Sequence, residues 1–515
     1  MMDALTLVAA AAPLLAGLDM LMRPVERAAP RLRLPEIAAL AALAVGLVAA
    51  GGLVLQGPTA VAIAGTVLMI DIVSVGLMLT VALIGWAVLR FSRVALDGEA
   101  RQGAFMGWMS LVLAAVMVLV TAGTLAQLVI GWAGVALALR PLILFYAERP
   151  LARRAARLKA ACDIVGHLAL IAAAVLMANA FGTGEIAAIT EAVAAGARPE
   201  GLWLVAVLLA VAAVAASALI PVQGWLHGVM EAPTPVSALL HAGVVAAGGF
   251  LVIRFAEVFV AVPGVMAGLA LLGGFSALAG AAIALTQPAV KTSLAWSTSA
   301  QMGFMMLQCG LGLFPLALLH IIAHALYKAH AFLGSGGAVE AVAAIRRPGP
   351  VAVPGIGPVG RAFALSLTLF FAVGFVFGLG EKAPQAVALG AILVFGVAYL
   401  VAQGMADAAP RELTRRTAIM AVLATGAYFA LQSGAEWVAA GTLPRPPVPD
   451  GLAWIVMVLT VGSFGVAALA QATLPLWATH PAAAALRVHL MNGLYLDTVA
   501  DRLAGRFTAR KETRA

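Results

Sequence analysis

The stretch KTSLAWSTSAQMGFMMLQCGLGLFPLALLHIIAHALYKAHAFLGSG, Lys291 to Gly336, reads as two apolar helices that carry ionisable groups at the depth of a bilayer. His320, His324 and Lys328 follow one another at i, i+4 and i+8. Two steps of four residues turn a helix by about 800°, roughly 80° past two full turns, so the three share one face. On the preceding helix Lys291 and Thr298 are nearly eclipsed, with Gln301 and Gln308 on the adjoining side, so a second polar stripe can face the first. Taken singly, a histidine in such a place hydrogen-bonds in the core and a lysine snorkels to the interface. Aligned on neighbouring helices, the same groups read as a pathway for protons or cations.

Working outward, only 10% of the 515 residues are charged and 63% are hydrophobic, whereas a soluble domain carries about 25% charged residues. The expected fold is an all-α polytopic membrane protein. Apolar windows of about 20 residues predict 14 to 15 transmembrane helices. They lie near 4–22, 35–56, 66–90, 104–122, 124–146, 160–181, 202–224, 234–256, 263–285, 292–312, 315–338, 361–379, 385–404, 417–440 and 452–475. The acidic start MMDALTL has no basic region, so the first span is expected to be a retained helix rather than a signal peptide.

A net charge of +8 could suggest nucleic acid, but the basic residues fall in alternate loops. Arg23, Arg27, Arg31 and Arg33 follow the first span, Arg93 and Arg101 the third, and Arg149, Arg153, Arg154, Arg157 and Lys159 the fifth. Arg346 and Arg347 follow the eleventh and Arg411, Arg415 and Arg416 the thirteenth, whereas the opposite loops hold only Arg198, Arg254, Lys382 and Arg445. This bias excludes a nucleic-acid partner and places the chain in the cell inner membrane, N-terminus outside and C-terminus in the cytoplasm. Cys162 and Cys309 fall on different helices without a cysteine or histidine cluster, so no metal or cofactor is expected in this chain. The absence of a GxxxxGK[ST] loop argues against ATP as driving force.

In chain order, Asp71 opens the third span as an interfacial acid, and Arg140 reads as a snorkelling cation near the end of the fifth. Asp163 and His167 stand at i, i+4 in the sixth, where an acid and an imidazole can touch as a possible relay. Pro221 breaks the seventh span, and Pro233 and Pro235 start the eighth, which carries His241 two turns in. A second interruption, GLGEKAP at 378–384, comes five spans later. Two broken helices in corresponding positions are the mark of inverted repeats. The chain then divides into N-terminal helices (1–103), a first repeat (104–260), a second repeat (261–410), C-terminal helices (411–486) and a cytoplasmic tail (487–515). Gly264 and Gly268 form a GxxxG expected to pack closely. In the tail Leu496, Val499, Leu503 and Phe507 recur at helical spacing opposite Asp497, Asp501, Arg502 and Arg506, an amphipathic pattern for the membrane surface or a soluble partner.

Three motifs, TPVSALLHAG with His241, TQPAVKTSLAWSTSAQMGFM with Lys291, and LLHIIAHALYKAHAFLGSG with His320, His324 and Lys328, resemble the antiporter-like subunits of respiratory complex I and of Mrp cation antiporters. The resemblance spans roughly residues 60–340 and implies that these five residues belong to a polar axis along the bilayer midplane that carries protons. RFSRVALDGEARQGAF, LILFYAERPLARRA, GWLHGVMEAPTPVSALLHAGVVAAGGFLVIR and VHLMNGLYLD are similar to the DabB-type membrane subunits of two-component inorganic carbon accumulation systems. That likeness implies a soluble partner, a DabA-like subunit similar to a β-type carbonic anhydrase with zinc. The membrane subunit would couple H+ or Na+ flow to one-way hydration of CO2, with all chemistry in the partner. The chain departs from the complex I pattern at Ala133 and Ala216, where those subunits have a glutamate and a lysine, and no clear lysine–acid pair matches near GLGEKAP unless Glu381 and Lys382 serve. Either the path runs through His241, Lys291, His320, His324 and Lys328 alone, or the subunit is a membrane anchor that conducts nothing. A respiratory or antiporter subunit is the other alternative.

Overall fold

Apolar runs with no water to satisfy their backbone must pair every N–H and C=O within themselves, and this chain does so as helices. A computed structural model describes residues 2–22, 31–63, 65–337, 355–404, 411–499 and 502. Helices α1 (Met2–Leu21) and α2 (Leu34–Gln56) precede a hairpin of strands β1 (Thr59–Ile63) and β2 (Thr66–Ile70). Then come α3 (Ile72–Ala95), α4 (Gln102–Val120), α5 (Leu125–Ile143), α6 (Pro150–Phe181), α7 (Ile186–Ala194) and α8 (Leu202–Ala216). The centre holds α9 (Gly224–Gly228), α10 (Thr234–Ala242), α11 (Ala247–Arg254), α12 (Ala256–Val260), α13 (Pro263–Ala284), α14 (Val290–Gly310) and α15 (Phe314–Leu333). The last part is α16 (Ile356–Val376), α17 (Pro384–Gly404), α18 (Arg411–Val438), α19 (Gly451–Ala472), α20 (Leu474–Trp477) and α21 (Pro481–Met491).

Among the described residues eleven helical segments are long and apolar enough to cross a membrane. Shorter apolar stretches in α1, α8 and α17, together with the more polar α14, underlie the remaining predicted spans. The chain is a multi-span integral membrane protein.

Three local predictions are corrected. The span expected from residue 66 starts at Ile72, because β-branched TAVAI and TVLMI pair as antiparallel strands, Thr59 opposite Ile70 and Ile63 opposite Thr66. Gly264 and Gly268 face open space. The close helix contact lies further along, where a Cβ at Gly303 would sit 2.7 Å from the Gly273 carbonyl oxygen and one at Gly310 2.4 Å from the Ala270 nitrogen. These glycines bring the backbone of α14 against α13. The eighth predicted span is interrupted: α10 stops at Ala242, Val244–Ala246 form a 3-10 turn, and α11 continues to Arg254.

Both predicted breaks are present. α8 ends at Ala216, with Ala218 at φ 48°, and the chain is helical again at Gly224. α16 ends at Val376, Gly378 adopts φ 72°, and α17 starts at Pro384. The expected amphipathic tail lies mostly outside the described residues, which show helix over 496–499.

Candidate functional site

Helix α14 is the hub of the polar centre, because its sequence Ser297-Thr298-Ser299 places three hydroxyls about 100° apart around one turn. Each hydroxyl meets a different basic side chain. Ser297 Oγ is 2.9 Å from Lys328 Nζ on α15, and Thr298 Oγ1 is 3.0 Å from His241 Nδ1 on α10. Ser299 Oγ lies 3.5 Å from His227 Nε2 on α9. Of the second polar stripe read from the spacing, Gln301 and Gln308 face His320, whereas Thr298 turns to His241 and Lys291 to Thr234.

Lys328 is wholly buried, at 0% exposure, with no carboxylate within ion-pair distance among the described residues. Its ammonium donates to Ser297 and, at 3.0 Å, to the carbonyl of Leu294. The same carbonyl accepts the Thr298 hydroxyl proton at 2.9 Å. Thr298 is thus left to accept from His241, which puts the imidazole proton on Nδ1. The Nε2 of this fully buried ring makes no hydrogen bond among the described residues, so a basic lone pair stands open in the core. Phe332 stacks on the ring at 4.4 Å between centroids and holds its plane.

The interruption after Ala242 has a consequence here. A regular helix would commit the His241 carbonyl to the amide four residues on, but at this kink it lies 3.3 Å from His324 Nε2 and accepts its proton. The His320 and His324 rings are 6.1 Å apart on successive turns of α15. His320 Nδ1 meets Gln308 Oε1 at 2.8 Å and Nε2 meets Gln301 Oε1 at 3.0 Å. With both amides so turned the ring donates twice, which suits an imidazolium, and rotating one amide serves the neutral ring. Lys328 and Thr298 thus share the Leu294 carbonyl, Thr298 meets His241, the His241 carbonyl meets His324, and the His320 ring lies one turn beyond, with no carboxylate bonded to any of them among the described residues.

Lys291 stands apart from this sequence. It is half-buried at the start of α14 and donates at 2.8 Å to Thr234, the first residue of α10. Asp163 and His167 are on α6, away from the ladder, and do not pair through their side chains. The Asp163 carboxylate takes Lys159, one turn earlier on the same face, because a full opposite charge outcompetes a neutral ring. His167 Nδ1 turns to the Asp163 carbonyl instead. Arg140 joins Lys159, Asp163 and His167 around a cavity of about 390 Å³ that Ala133 also lines. Lys159 further lies over the Trp225 ring at 4.8 Å.

Several partners were not evident from the sequence. His227 sits beside the proline break in GWLHG, and only packing against α14 reveals it. Lys382, not Glu381, is paired at the second break: it reaches Glu436 of α18 at 2.7 Å and Ser433 at 3.1 Å. Asp71, at the start of its span as the sequence places it, caps α3 through the Ser74 amide and forms a buried ion pair with Arg254 that the sequence did not reveal. At the opposite end of α3, Arg93 pairs with Glu36, joining α2 to α3.

Residues 122–347 match the family model described as NADH:quinone oxidoreductase/Mrp antiporter, transmembrane. The probable inorganic carbon transporter subunit DabB2 of Halothiobacillus neapolitanus is 36% identical over 438 residues, 83% of this chain and 78% of that one. The probable inorganic carbon transporter subunit DabB of Hydrogenovibrio crunogenus is 36% identical over 272 residues, about half of each chain at 52% and 52%. The NADH-quinone oxidoreductase subunit L of Mycobacterium tuberculosis is 34% identical over 53% of this chain and 44% of its own. In fold, the chain is similar to one in the structure of the Mrp complex from Dietzia sp. DQ12-45-1b, with TM-score 0.63 at 23% identity over 99% of this chain and 60% of that chain.

Proposed function

The chain belongs to the family of DabB-type inorganic carbon transporter subunits, within the NADH:quinone oxidoreductase/Mrp antiporter type of membrane protein, and on that premise we propose that it is the membrane subunit of a two-component inorganic carbon accumulation system. It couples H+ or Na+ flow to directional hydration of CO2 by a soluble, zinc-containing DabA-like partner that resembles a β-carbonic anhydrase. The basic loops support a place in the cell inner membrane with the C-terminus in the cytoplasm. Two repeats, 104–260 and 261–410, would flank the ion path, each with one broken helix.

The observation that carries this reading is the buried sequence from Lys328 through Thr298, His241 and His324 to His320. Lysine and histidine side chains can both take up and release protons, and here they stand on neighbouring helices within reach of shared hydroxyls and carbonyls. The anchor reading draws on Ala133 and Ala216, where the complex I pattern has glutamate and lysine. Against it stands the cost of keeping an unpaired cation in the core of a protein that conducts nothing.

The test is co-expression of the chain with its soluble partner in a host lacking carbonic anhydrase. Growth in air is expected from the pair and not from the membrane chain alone, and uptake should collapse when an ionophore abolishes the driving gradient. Growth from the membrane chain alone would overturn the assignment of chemistry to the partner. Uptake that survives loss of both proton and sodium gradients would leave only the anchor.

A further inference from the structure

We propose that the segment following α21 supplies the mouth of the ion path: Asp497 and His227 form a proton-collecting site that feeds the buried ladder from the cytoplasmic side. The inference rests on the ion-path reading above and adds to it an entrance and the identity of the ion.

The segment is far from the ladder in sequence and is held against α6, α13 and α14 by specific contacts. Arg154 of α6 donates from Nη2 to the Asp497 carbonyl at 3.4 Å, and Gln287 donates to the Met491 carbonyl at 3.4 Å. Leu490, Leu494 and Leu496 pack against Ile220 of the first break, Ile283 and Trp296. Leu494 and Tyr495 take φ values of 53° and 58°, a left-handed backbone that residues with a Cβ hold only when their surroundings require it. Two glycines permit the approach. A Cβ at Gly493 would lie 2.8 Å from the Trp296 ring, and a Cβ at Gly224 would lie 2.6 Å from Asp497 Oδ1.

This docking sets one carboxylate against a buried imidazole. Asp497 Oδ2 is 4.0 Å from His227 Nδ1, with the aspartate side chain 38% exposed and the histidine side chain 8% exposed. The pair therefore runs from the solvent edge to the interior. His227 stacks at 4.0 Å on Trp296, and its other nitrogen faces Ser299, next on α14 to the hydroxyl that holds His241. The charged groups around it are Arg154 from α6 and Asp497 from the terminal segment. An imidazole accepts a proton at Nδ1 and releases one from Nε2, so His227 passes a proton between its two faces without moving. A hard cation wants a shell of several oxygens. A single carboxylate beside an imidazole does not supply that shell, so the site selects H+.

The experiment measures inorganic carbon uptake by the full chain co-expressed with its soluble partner, for Asp497→Asn, Asp497→Glu, His227→Gln and Lys328→Ala. Chain level and partner co-purification are followed in parallel. Asp497→Asn, which keeps the shape of the side chain, should lower uptake at least tenfold with the complex intact, and Asp497→Glu should restore at least half of it. His227→Gln should match Asp497→Asn, and in wild type a proton gradient without sodium should suffice. Full uptake by Asp497→Asn with Lys328→Ala inactive would overturn the proposal and leave the ion path standing. Equal loss in the Asn and Glu variants would make Asp497 a packing residue and also overturn it. A strict sodium requirement would refute the choice of ion. Full uptake by Lys328→Ala as well would remove the ion path itself, and the proposal with it.

Discussion

At the second broken helix Lys382 is neutralised by Glu436, and beside the first break Lys159 is neutralised by Asp163. On the facing sides of α14 and α15, the hydrogen-bond partners of Lys328 among the described residues are a serine hydroxyl and a peptide carbonyl. The two arrangements answer the same difficulty, a cation within an apolar bundle, in opposite ways. A carboxylate balances the charge of its lysine where it stands. Hydroxyls and carbonyls solvate the ammonium yet lose little when it becomes neutral. On the proposed reading the breaks would hold charge in place and the ladder would let it move.

The strongest way to break that contrast is at Lys328. Lys328→Ala and Lys328→Arg should each lower carbon uptake about 100-fold or more, since alanine carries no proton and a guanidinium does not give one up. Lys328→Met should be as inactive, yet its thermal unfolding midpoint should equal or exceed that of wild type, because an apolar side chain of similar length replaces an unpaired buried cation. Uptake near wild type in the arginine variant would make Lys328 a fixed charge like Lys382. A lowered midpoint for Lys328→Met would show that this cation, too, serves stability.

Much of this division was legible in the sequence. Apolar length alone placed the helices, as at 263–285 against Pro263–Ala284. The spacing of His320, His324 and Lys328 placed the ladder on one face of α15. The hairpin at residues 59–70 was not legible, because alternating valine, leucine and isoleucine are as apolar as a span, and only strand pairing distinguishes them. Nor was the choice Asp163 makes: Lys159 and His167 are equally four residues away, and charge decides between them. The partners across helices, Ser297 with Lys328 and Lys382 with Glu436, depend on how the helices pack, which periodicity does not encode.

Asp71 and Arg254 sharpen the contrast by giving its stability side a magnitude. Their side chains are 6% and 3% exposed, and Arg254 also donates to Ser74 and the Val120 carbonyl, tying α11 to α3 and α4. Asp71→Asn leaves the guanidinium buried without its charge partner and should cost about 3–5 kcal/mol. A lower thermal midpoint and less protein in the membrane are expected, with uptake per folded molecule close to wild type. A normal midpoint with lost uptake would move this pair into the ion path.

The smallest effect is expected at Glu436, and it bears most directly on whether the broken helices conduct. The Glu436 side chain is 41% exposed, so its attraction to Lys382 is screened by solvent and should contribute no more than about 1 kcal/mol. Glu436→Gln keeps the side-chain length and an oxygen for Lys382 and Gln432 to bond. If the pair only holds the break in shape, uptake should stay within about twofold of wild type, the change that a lost contribution of a few tenths of a kcal/mol would produce. If the second break is a working part of the path, the carboxylate is needed to set the proton affinity of Lys382, and uptake should fall as far as it does for Lys328→Ala. Measuring the two variants together at equal chain level decides it: parallel loss would erase the distinction between paired and unpaired cations and extend the ladder across the second repeat.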